Sequence, residues 1–169
     1  MSAPQLFTTD NLSPVRATRA LLHEMAASFA ENEFSLKGKA PFMWLIGSGP
    51  RIVWIETPWE NENEKMAAVY FLRKTAYALK ADCYAFISEA WLAVYKEMPG
   101  PNYTPPGDLP KSERDDILYV LSVDRNEQAH SRWLVTQPRR GMNFLGPRVD
   151  AEDFTNTSGT MTSILKGWS

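Results

Sequence analysis

The side chains with the charge or ring nitrogen that catalysis needs are Glu56, Glu60, Glu89, Asp124, His130 and Arg132. Glu89 is the most suggestive, because it interrupts the apolar run from Cys83 to Tyr95. A carboxylate among large apolar side chains must be paired, protonated or placed at a sheet margin. Converging with His130 and Arg132, it would make a carboxylate-based hydrolase site with an acid, an imidazole and a guanidinium in hydrogen-bond reach. Glu89 facing Glu56 across a cleft would instead suit glycosidase-like acid/base work.

Other chemistries lack their signatures. A nucleophile triad needs a serine or cysteine on a sharp turn beside a histidine, but Ser88 falls in mid-run and no G-x-S-x-G occurs. Glu56, Glu60, Glu62 and Glu64 read as helix-start acids, and His23 reads as an ordinary surface or boundary histidine, so no metal site is expected. Cys83, the single cysteine, lies in the apolar run and reads as a buried, inert thiol. No cofactor motif is present; Gly47-Ser48-Gly49-Pro50 lacks the lysine of a phosphate loop and ends on a residue without an N–H.

The elements that must position these residues follow from patterning. Thr57-Pro58-Trp59-Glu60 offers an N-cap hydroxyl, a proline at N1 and a glutamate at N3, and Met66, Val69, Leu72, Ala76 and Leu79 recur at helical spacing. The spacing predicts a helix over 59–80, followed by a central strand over 83–95 in which Glu89 shares a face with Ile87 and Trp91. Ser13-Pro14 repeats the start signal for a first helix over 14–31. Two apolar runs, 42–46 and 51–55, flank the glycine-rich turn as a hairpin. A second hairpin joins 117–123 to 130–136, with His130, Arg132 and Leu134 on one face and Ser131 and Trp133 on the other.

Between these, 98–113 is a proline-rich loop with Tyr103 at its middle, and 1–12 and 138–169 read as an extended lead-in and an irregular tail. The order is α-β-β-α-β-β-β. That makes an α+β fold, a single domain with a mainly antiparallel sheet of about five strands and two helices on one of its faces.

A chain of 169 residues, 44% hydrophobic, can build one real core. Its formal charge of -2 argues against holding nucleic acid by bulk electrostatics. The cationic concentration formed by Arg132, Arg139, Arg140 and Arg148 remains as a phosphate-contacting alternative. No stretch reaches the roughly 18 to 20 apolar residues that span a bilayer, and the N-terminus lacks signal-peptide shape, which points to the cytoplasm and to no membrane partner.

The segments Trp59-Glu60-Asn61-Glu62 and Ala85-Phe86-Ile87-Ser88-Glu89-Ala90-Trp91 resemble a pattern shared by small proteins of bacteria and their phages. The resemblance implies a small intracellular protein of phage or mobile-element type and carries no activity. With no catalytic signature, the expected function is that of a non-enzymatic binding or accessory protein. It would act on a protein partner or by self-association, through Tyr103, Trp91, Arg139 and Arg140 around the proline-rich loop.

Overall fold

Each long apolar run in this chain is buried at consecutive positions, which requires cover on both faces of a sheet. The computed structural model describes residues 5–9, 16–93, 100–102, 104 and 106–151, with the backbone alone at 5–9, 106, 138 and 139. Its elements are β1 (Gln5–Thr9), α1 (Arg19–Lys37), β2 (Met43–Ser48), β3 (Arg51–Glu56), α2 (Glu62–Ala78), β4 (Cys83–Leu92), β5 (Asp115–Asp124), β6 (Gln128–Arg139), β7 (Met142–Leu145) and β8 (Val149–Ala151). The strands form one antiparallel sheet in the order β1-β3-β2-β4-β5-β6, and β7 and β8 share the outer edge of β6.

The α+β class agrees with the sequence reading; the detail of its edges does not. Among the described residues, eight strands replace the expected five. The lead-in contributes β1, paired with β3, and the stretch expected to be irregular from Pro138 contains the end of β6, β7 and β8. These edge strands are short and carry little alternation of their own; pairing to a long neighbour defines them. Residues 152–169, including the apolar cluster 164–168, and Tyr103 lie outside the described residues.

The helices lie on opposite faces, contrary to the expected one. α1 packs Leu22, Ala26, Ala27, Ala30 and Phe34 against Leu45, Ala85, Ile87, Leu118, Val120 and Trp133. α2 packs Leu72 and Ala76 against Trp44, Ile46, Ile55, Tyr84 and Phe86 on the other side. Three alanines in a row of helical steps bring α1 close to the sheet. At that interface a Cβ on Gly47 would lie 2.8 Å from Cys83 Sγ and 3.1 Å from Ala17 Cβ.

Both helices begin later than the local signals suggest. α1 is capped by Thr18, whose hydroxyl accepts from Leu21 N, and ends at Gly38 with φ 70°. α2 is capped by Asn61, which accepts from Glu64 N, while the Glu64 carboxylate reaches back to Glu60 N. Thr57 cannot cap because it is buried, and its hydroxyl accepts from Trp44 Nε1 at 2.8 Å. The hairpin at Gly49-Pro50 forms as expected, with Ser48 opposite Arg51 and Gly49 at φ 57°.

Candidate functional site

The chemistry-bearing residues collect on β4, β5, β6 and β8, and the register of those strands decides which of them meet. Glu89 pairs with Leu118, which pairs with Trp133, so all three point to the α1 face. Ser88, Tyr119 and Arg132 form the neighbouring row, which points away, together with His130. The sheet thus separates Glu89 from His130 and Arg132, and the hydrolase constellation is not assembled. Glu89 is exposed and accepts from Ala40 N at 3.3 Å. Partial loss of water around its carboxyl, with Asp116 nearby, raises its pKa, against the pull of the Ala40 amide and Lys39.

On the face away from α1, a cavity of about 480 Å³ is lined by Trp91, Leu92, Ile117, Tyr119, His130 and Arg132 and is bounded by β8. Of the residues singled out in the sequence, His130 and Arg132 face this concavity; Trp91 borders it, but by strand alternation its ring shares the α1 face with Glu89, beside Arg114. His130 Nδ1 and the Tyr119 hydroxyl are hydrogen-bonded at its floor. Burial lowers the His130 pKa to about 4, with His23 across the sheet adding to the shift, and burial raises that of Tyr119. Both groups are neutral at pH 7. The ring of Trp91 is 52% exposed, lies under the Arg114 guanidinium and leaves no room for a side chain at Gly107 of the proline-rich loop. Leu134 and Val149, on and beside the same face, are also exposed.

A second cavity, of about 630 Å³, lies between the C-terminal half of α1 and the ends of β2 and β3, walled by Phe29, Phe42 and Trp54 with Glu33, Lys37 and Glu56 at its margin. Glu56 lines it and Glu89 does not, so the two carboxylates do not face one another across a cleft. Glu60 lines neither cavity. Asp124 closes the β5–β6 turn, accepting from Asn126 N and Glu127 N.

The most organised polar cluster is one that sequence reasoning missed. His23, expected at the surface, is buried under the sheet, with Nδ1 2.8 Å from Ser122 Oγ and Nε2 2.7 Å from Ser131 Oγ. Ser131 donates its only proton to Asp150, so it must accept from His23 Nε2–H. Nδ1 is then the acceptor for the Ser122 hydroxyl, which in turn accepts from Arg19 Nη1 at 3.0 Å. Arg148 closes the far end, bonding Glu24 through both terminal nitrogens and Asp150 through Nε.

With the His23 ring neutral, every proton in this chain has one direction. Burial lowers the pKa of His23 first, and Arg148 and Arg19 lower it further. Both serines are fully buried, so the cluster has the wiring of a serine–histidine pair without access to a substrate. The signal for it in the sequence was polarity out of place: Ser122 and Ser131 occupy inward strand positions, and His23 sits one turn before Ala26 and Ala27.

Of the cationic cluster, Arg148 is committed to Glu24 and Asp150, Arg140 is exposed in the β6–β7 turn, and Arg139 lies at the end of β6. Cys83 is buried, with its pKa raised to about 12 chiefly by burial. Among the described residues no group of three or more histidine, cysteine or acidic side chains converges as metal ligands, and no helix is long and apolar enough to cross a membrane.

Comparison of the chain with known protein families, with characterised proteins and with solved structures gives no match, so the bacterial and phage resemblance gains no support. The class defined by fold and site is an α+β sheet protein with an apolar cavity on the face its second helix leaves partly uncovered.

Proposed function

We propose that this is a binding or accessory protein, acting on a protein partner or on a second copy of itself, with the cavity beside Trp91 as its recognition surface. The observation that carries the reading is an apolar concavity whose two floor groups, His130 and Tyr119, are neutral, bordered by Trp91, whose exposed ring packs on the proline-rich loop. Large aromatic side chains at the rim of a desolvated hollow are the usual anchors of recognition. Leu134 and Val149 extend the apolar rim. No comparable observation favours the hydrolase or the nucleic-acid reading, since the sheet divides the first set of residues and, in the second, Arg148 is taken up by Glu24 and Asp150.

A photo-crosslinking residue placed at Trp91 tests this. It should capture a defined partner or a second copy, whereas the same residue at Leu36, exposed on α1, should not. Equal capture at both positions, or none at Trp91, would sink the proposal.

A further inference from the structure

Among the described residues, the cavity beside Trp91 has one charged side chain in its lining, Arg132, and no carboxylate. Arg132 is half-buried, directly across the strand pair from Tyr119, and among the described residues no acid comes within ion-pair distance of it. Two described acids on the flanking strands are turned elsewhere. Asp150, beside Val149 on β8, is engaged by Ser131 and Arg148 on the α1 side, and Asp115, on the cavity's face of β5, falls beyond Ile117 and outside the lining.

A partly desolvated guanidinium with no described acid to neutralise it is costly to hold. Its five donors match a carboxylate in a bidentate fork. The rest of the wall would not suit an inorganic anion. Leu92, Ile117 and Val149 are apolar, and Tyr119 and His130 are bonded to one another. Both ends of a ligand are therefore specified: a carboxylate for Arg132 and an apolar body for the hollow.

We infer that the cavity binds an organic carboxylate with an apolar body, either the C-terminus of a protein chain ending in apolar residues or a free hydrophobic acid. This rests on the reading of the cavity as the recognition surface and adds the chemistry of what it recognises. Arg132 orients the ligand, and the apolar wall of Leu92, Ile117 and Val149 supplies contact area.

Calorimetric titration of the full chain with 4-phenylbutyrate, with 4-phenylbutyramide, and with an apolar tripeptide as free acid and as C-terminal amide tests it. Saturable binding of an acid is expected, at least about tenfold tighter than its amide, and Arg132→Gln should remove that preference. Arg132→Lys should restore part of it, which separates lost charge from a damaged fold. Stronger binding of the peptide acid points to a protein C-terminus; stronger binding of phenylbutyrate points to a free acid. Acid and amide binding alike, an unaffected Arg132→Gln variant, or no binding of any probe overturns the inference. Crosslinking at Trp91 that persists in those cases shows that the recognition surface stands without a carboxylate.

Discussion

His23 Nε2 lies 2.7 Å from Ser131 Oγ, and Ser131 passes its own proton to Asp150, so one buried imidazole joins α1 to β6 and β8. Through Nδ1 the same ring reaches Ser122 on β5. A helix and three strands depend on it for the satisfaction of groups that water does not reach.

Replacing His23 by alanine should therefore cost about 2 to 4 kcal/mol, the sum of a cavity and the two hydrogen bonds the ring makes to Ser122 and Ser131. Ser122→Ala and Ser131→Ala should each cost less, and the double variant should deviate from additivity because both partners share one ring. Urea denaturation followed by tryptophan fluorescence measures all four. A His23→Ala midpoint equal to that of the parent would show that the network contributes nothing.

Acid should destabilise the fold before its carboxylates titrate. His23 and His130 both have folded pKa values below the ordinary 6.5, that of His130 at about 4. Below pH 6.5 the unfolded chain takes up protons that the native chain refuses, so stability is fully present above 6.5 and falls as pH drops. The His130 contribution lost by pH 4 is on the order of 3 kcal/mol. Glu24 and Asp150 are held below their ordinary values, chiefly by hydrogen bonds from Arg148 and Ser131, and add their loss at lower pH. The slope of unfolding free energy between pH 6.5 and 4 should flatten in His130→Gln; an unchanged slope would assign it elsewhere.

Gly47→Ala should lose about 1 to 3 kcal/mol, because the added methyl meets Cys83 Sγ and Ala17 Cβ where α1 approaches the sheet. Adding Cys83→Ala should recover part of that loss, the Ala17 contact remaining. Thermal unfolding of the single and double variants decides it, and full additivity would mean the two sites do not touch.

The cap of α2 can be located by two substitutions. Asn61→Ala should cost about 1 kcal/mol as a lost N-cap. Thr57→Val should cost about 1 to 3 kcal/mol for a different reason, since Trp44 Nε1 is left without an acceptor in the core. Trp44→Phe in the Thr57→Val background should add less than it does alone. Chemical denaturation reads the cycle; simple additivity would detach Thr57 from Trp44.

The glycine-rich hairpin, the succession of α2 by a strand, and the two faces of β4 and β6 were legible in the sequence. They depend on forces that act over a few residues: a turn that needs φ above zero at Gly49, a side chain that alternates every second position, an apolar stripe at helical spacing. The helix starts were misplaced because Thr57 and Asn61 both carry capping chemistry, and only the burial of Thr57 beneath Trp44 decides between them.

What the tertiary structure alone decided is which residues share a face across strands and which distant groups meet. Glu89 and His130 are each read correctly along their own strand, yet the β4–β5–β6 register fixes their relative parity and sets them on opposite sides of the sheet. His23 stands 99 positions from Ser122 and 108 from Ser131. No local preference acts over that distance. The docking of α1 through its alanines brings those three together, and the same pairing of strands leaves Arg132 facing an apolar hollow.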